Sequence, residues 1–162
     1  MDHFMLLTAV GGRGAGSRLS VINPAQWAGD YKAAGVGSIS LEVNNFSTQD
    51  IYLRLLFENP MMAPPTDEAI TPAIVIPAGS GWVHVTFALD NLIAVHGTVH
   101  NALTQTTIVR IFHAVMDTLP GDVVVARVGV DNIRANAVPE PSTLALMAAG
   151  AAFAFLVKTR RR

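Results

Sequence analysis

The chain has 162 residues, 51% of them hydrophobic and 14% charged, with a formal net charge of -1. That is one domain's length with ample apolar material for a core, and the near-neutral balance leaves no basic stripe for nucleic acid outside the C-terminal tail. The absence of cysteine removes disulfides, thiolate zinc sites and cysteine nucleophiles together.

In chain order the body reads as short strands separated by turn residues. Phe4 to Val10 forms an apolar strand that runs into the Gly-rich turn Gly11 to Arg18, and Leu19 to Ile22 is a second strand closed by Asn23-Pro24. Trp27 to Gly35 is a loop. Ser38 to Asn44 alternates and places Ile39, Leu41 and Val43 on one face, and Asp50 to Glu58 does the same with Ile51, Leu53, Leu55 and Phe57. Asn59 to Thr66, with its Pro64-Pro65 pair, is an irregular loop. Ala73 to Ile76 and Gly81 to Leu89 are expected to pair as a hairpin through Pro77 to Ser80, with Trp82 buried at the head of the second strand. Asp90 to Thr104 has room for a helical turn. Thr106 to Ala114 and Val123 to Ile133 are the last strands, split by Leu119 to Asp122. Some eight strands at this spacing, with no helical periodicity, predict a mainly β fold, an antiparallel β-sandwich of jelly-roll type over residues 1–136. Met1-Asp2-His3 lacks the basic start and the long apolar core of an export signal, so the reading frame is expected to begin upstream of Met1.

Residues 137–162 follow different physics. Pro139, Glu140 and Pro141 impose a stiff, helix-incompatible backbone. After them comes an uncharged run of Leu144, Ala145, Leu146, Met147, Ala148, Ala149, Gly150, Ala151, Ala152, Phe153, Ala154, Phe155, Leu156 and Val157. Lys158, Arg160, Arg161 and Arg162 close the chain. A helix over about 142–158 would be about 25 Å long, short for a bilayer core of ~30 Å but sufficient if Lys158 snorkels. Such a helix is apolar on every side and has no solvent face, so it is expected to span a membrane once. The basic stop puts its C-terminus in the cytoplasm and the body on the other side.

The order of proline motif, apolar helix and arginine cluster resembles the PEP-CTERM sorting signal of Gram-negative bacteria, a tail also labelled an ice-binding protein C-terminal domain. The resemblance implies recognition of Pro139-Glu140-Pro141 by an exosortase, a membrane-embedded cysteine protease, with transient residence in the inner membrane and delivery to the cell surface or beyond. The body, through Gly29-Asp30-Tyr31, Asn44-Asn45, Ile76 to Trp82, Arg110-Ile111 and Gly129 to Ile133, loosely resembles galactose-binding-like and carbohydrate-binding-module sandwiches. That resemblance implies a structural calcium with Asp131 among its ligands, its other ligands lying upstream of Met1; no other cofactor is implied.

No catalytic constellation stands out, and the chain is read as a non-enzyme. The Gly11 to Arg18 turn has Ser17 where a phosphate loop needs its third glycine, and His96 with His100 lacks the glutamate of a zinc-hydrolase helix. A glycan hydrolase would need two of the scattered acids within about 5–10 Å across a cleft. Trp27 and Tyr31, in a polar loop, are the candidates for an exposed platform that stacks on polysaccharide. Their exposure would favour sugar binding, and their burial a purely structural or adhesive surface domain.

Overall fold

The computed structural model describes residues 3–14, 16–59 and 64–138. The expected sorting motif, membrane helix and basic stop lie outside them. No helix among the described residues is long and apolar enough to cross a membrane.

The described chain is built from ten strands and one short helix: β1 (Met5–Val10), β2 (Ser20–Asn23), β3 (Val36–Asn45), β4 (Ile51–Asn59), β5 (Asp67–Ile70), β6 (Ile74–Ile76), β7 (Trp82–Ala88), β8 (Ile93–His96), α1 (Val99–Thr104), β9 (Ile108–His113) and β10 (Val125–Ala137). A four-stranded sheet runs β1-β10-β3-β7, and a second runs β2-β9-β4-β5-β8 with β6 also paired to β4. All pairings are antiparallel. The pairs β1–β10, β2–β9, β3–β7 and β4–β5 nest inside one another along the chain, which is the connectivity of a jelly roll.

Alternation explains why the sheets close face to face. Ile39, Leu41 and Val43 of β3, Val85 and Phe87 of β7, and Val128 and Val130 of β10 form one wall of a shared core. Leu53, Leu55 and Phe57 of β4, with Val109 and Ile111 of β9, form the other. The opposite parity of β4 and β9 makes a second, smaller cluster on the outside of the second sheet, where Leu56, Ile70, Phe112 and Ala114 are covered by Ile93, Val95 and Leu119.

Two expectations need correction. The segments Ala73 to Ile76 and Gly81 to Leu89 do not form a hairpin, because β6 pairs with β4 and β7 with β3. The turn between them, with Gly79 and Gly81 at φ of 62° and 69°, carries the chain from one sheet to the other. β5, left unassigned from sequence, and β8, within the stretch given room for a helical turn, pair with each other and extend the second sheet.

His113 adds a side-chain tie between β9 and β4 in the second sheet. Its ring is buried, and Nδ1 accepts the Tyr52 N–H at 3.0 Å, a bond only the neutral ring can make. Burial accordingly holds its pKa below the usual 6.5, although Asp122 pulls the other way. The unfolded chain therefore binds a proton more readily than the native one, so this group's contribution is complete above pH 6.5 and is lost as pH falls through the lowered native value. In urea unfolding between pH 8 and 5, wild type should lose more stability below pH 6.5 than His113→Gln. Equal slopes would show that the ring does not control this transition.

Candidate functional site

The site lies on the outer face of the four-stranded sheet. Val83, Val85 and Phe87 of β7 point into the core, so Trp82, His84 and Thr86 point out. Across β3 the same parity gives Asn44, Glu42 and Ser40, and across β10 Gly129, Asp131 and, past a bulge, Arg134. These residues fall into transverse rows: Leu6, Gly129, Asn44 and Trp82 in one, then Asp131, Glu42 and His84, then Arg134, Ser40 and Thr86. Along β7 the face is about 20 Å long at ~3.3 Å per residue.

One end of this face is aromatic. Phe4, Phe46 and Trp82 are each close to half exposed, at 46, 47 and 45%. Phe4 meets Trp82 edge-on with ring centroids 5.1 Å apart, and lies 6.1 Å from Phe46. Gly129 is the floor under all three. A Cβ built there would come within 3.0 Å of Trp82, 3.1 Å of Phe46 and 3.2 Å of Phe4. The glycine is required by close approach of the rings, which cover it so fully that it is buried despite facing outward.

The other end is polar. Ser40, Glu42, His84, Thr86, Asn132, Arg134 and Asn136 line an open depression. His84 Nδ1 lies 2.9 Å from Glu42 Oε1, Asp131 Oδ1 accepts the Asn132 N–H at 2.8 Å, and Asn136 Nδ2 donates to Ser40 Oγ at 3.0 Å. Asn132 takes a φ of 50° at the bulge, a conformation asparagine tolerates better than most side chains. An exposed aromatic cluster thus adjoins an open strip of hydrogen-bond donors and acceptors.

The sequence-based platform falls elsewhere. Tyr31 is 7% exposed, packs edge-on against Phe57 with centroids 5.1 Å apart, and donates its hydroxyl to the Trp27 carbonyl. Burial pushes its phenol up to about 12. Trp27 is half-buried, packs on the core and borders an apolar gap of about 130 Å³ between the sheets. The two border one open hollow of about 350 Å³, but with Tyr31 buried and Trp27 half-buried they do not form an exposed aromatic pair. Trp82, expected inside, is the exposed one. The three surface rings are remote in sequence, and only the β1–β10–β3–β7 register unites them.

The acids also pair in ways the sequence leaves open. Glu58 and Glu68 are direct cross-strand partners on the outside of the second sheet, flanked by Arg110 and His96. Both are buried, and desolvation raises the Glu58 pKa above its usual value, so they make an internal charge row rather than a reachable acid pair. Glu42 and Asp131 are the exposed-face counterpart, opposite each other on β3 and β10. Among the described residues no group of three or more His, Asp or Glu could hold a metal, and Asp131 is turned to its own neighbouring amide.

The described chain is thus a jelly-roll sandwich with an aromatic and polar outer face. The tail it leads into is of a recognised kind: residues 137–162 match the PEP-CTERM protein-sorting motif, so the chain carries that motif at its C-terminus. No curated protein matches the chain. Among solved structures it is similar to one described as the surface glycan-binding protein PbSGBP-B from Prevotella bryantii, at 16% identity and a TM-score of 0.46, over 81% of this chain and 46% of that one. The chain therefore spans less than half of that protein's length, and a likeness this distant says nothing of its ligand.

Proposed function

We propose that this is an exported protein, sorted through the inner membrane by an exosortase acting on its C-terminal motif, and that its outer sheet face contacts polysaccharide at the cell surface. The sorting half of this reading is supported by the match over residues 137–162. The binding half is carried by one observation: three half-exposed aromatic rings lie together over a glycine beside an open polar depression. Contiguous exposed apolar groups rimmed by polar ones mark contact surfaces. The body acts by binding rather than by catalysis. Glu42 and Asp131 are register partners, but on an open sheet face instead of across a cleft as a hydrolase needs. A second reading, a structural or adhesive domain without sugar specificity, is favoured by the inward position of Tyr31 and Trp27 and by the packing of the surface rings on one another.

The test is a glycan array on the full chain held in detergent, with products analysed for new reducing ends. Saturable binding to a polysaccharide without cleavage supports the proposal. Absence of binding across neutral and acidic glycans favours the adhesive reading, and appearance of reducing ends restores the hydrolase.

A further inference from the structure

Resting on the sorting reading above, we propose that the C-terminal end of β10 is a releasable lead, and that the sorting protease gains its substrate only when this segment peels from β3. The motif leaves the folded body with almost no spacer. Ala137 is still paired with Val36, the Val138 N–H donates to the Gly35 carbonyl at 2.8 Å, and Pro139 is the next residue. While that end is docked, the last residue before the motif is still held at the edge of the sheet. A membrane-embedded protease must enclose an extended stretch of peptide, and a folded body with a radius of gyration of about 14 Å stands in the way.

The segment is built to let go. Pairing with β1 ends at Val130, so beyond it β10 has β3 as its single neighbour. The bulge at Asp131–Arg134 breaks the ladder there, and a second register shift follows between Asn136 and Ala137. No residue from Asp131 to Val138 is fully buried. Its side-chain attachments are Ile133, half-buried against the margin of the main core, Asn136 Nδ2, which reaches Ser38 Oγ at 3.3 Å and Ser40 Oγ at 3.0 Å, and Val138 resting on Gly37. A strand end with few buried contacts opens locally without unfolding the rest. Release of Ile133 to Val138 would add about 20 Å of extended chain, enough to carry the motif clear of the body. The polar half of the outer face loses Arg134 and Asn136 in the released state, whereas the aromatic end is untouched.

The chain has no cysteine, so Ser38→Cys with Asn136→Cys, which are register partners, introduces one crosslink that pins the segment to β3. The full chain is made in cells that contain the Pro-Glu-Pro-recognising membrane protease, and loss of the tail is followed by intact mass. When opening is fast relative to cleavage, the rate tracks the open population, so the crosslinked chain should be processed about tenfold more slowly or worse. Inserting six Gly/Ser residues between Val138 and Pro139 of the crosslinked chain should restore the rate. Gly37→Ala, whose Cβ would fall 2.6 Å from Val138 Cγ2, should act the opposite way and speed processing. Equal rates for wild-type and crosslinked chains, or a linker that fails to rescue, overturn the release step. A wild-type tail that keeps Arg160 to Arg162 throughout overturns the sorting reading as well, so the two failures are told apart.

Discussion

Arg54→Ala is expected to cost about 3–5 kcal/mol, the range for removing one partner of a buried, hydrogen-bonded charge. Arg54 lies on the outside of the second sheet and is 3% exposed. Its guanidinium spreads over the chain that follows β9 and the turn that follows β5: Nε donates to the Ala114 carbonyl, Nη1 to Thr71 and Nη2 to Val115, at 2.9, 2.9 and 3.0 Å. Nη1 also lies 2.6 Å from Asp117. Truncation leaves three carbonyls without their donor and frees the loop that carries Leu119 over Leu56, Ile70 and Phe112. Arg54→Lys keeps the charge but loses the fork, so it should recover only part of the loss. Asp117→Asn should cost no more than about 1 kcal/mol, because that carboxylate is half exposed and screened. Urea midpoints at constant slope check all three. An Arg54→Ala midpoint as high as that of Asp117→Asn would show that the carbonyl contacts carry nothing.

Much of this architecture was legible. Alternation in β3 and β4 picks out inward sets, Ile39, Leu41 and Val43 in one and Ile51, Leu53, Leu55 and Phe57 in the other, that are the ones found in the core. The tail was legible too, since proline motif, apolar run and arginines follow one another without a gap and the matched segment begins at residue 137. β5 was not: all four of its residues are buried, and Asp67-Glu68 gives a short segment no strand signal until Arg110, His96, Thr98 and Asn101 are seen to pair with its acids and with Glu58 of β4. The β6–β7 error has another origin. Two adjacent strands with a Gly-rich connection fit a hairpin equally well in either topology, and the choice depends on which sheet has an edge to offer. Trp82 is the instructive miss. In Trp82 to Leu89 the apolar set is Val83, Val85, Phe87 and Leu89, so the tryptophan shares parity with His84 and Thr86. Period should have outranked hydrophobicity there.

That parity sets up the functional prediction. Trp82→Ala should weaken polysaccharide binding by about 30-fold, near 2 kcal/mol, the usual loss on truncating a central aromatic anchor. Its effect on folding should be small, because the side chain faces solvent and the core behind it is formed by Val83 and Val85. Gly129→Val provides the independent arm. It removes no aromatic ring, but its Cβ would meet Trp82, Phe46 and Phe4 at 3.0 to 3.2 Å and must lift them apart. If the surface works as a preformed arrangement, the valine variant should lose binding comparably to Trp82→Ala. If the rings serve only to cover the glycine, filling the floor should leave binding unchanged or absent in both chains. Trp27→Ala should show the reverse signature, reduced stability with affinity intact, because that ring packs on the core beside the inter-sheet gap. Isothermal titration against the best array ligand, paired with urea unfolding of the same preparations, separates these outcomes. Loss of affinity in Trp27→Ala with full retention in Trp82→Ala would move the site from the sheet face to the loop at Tyr31.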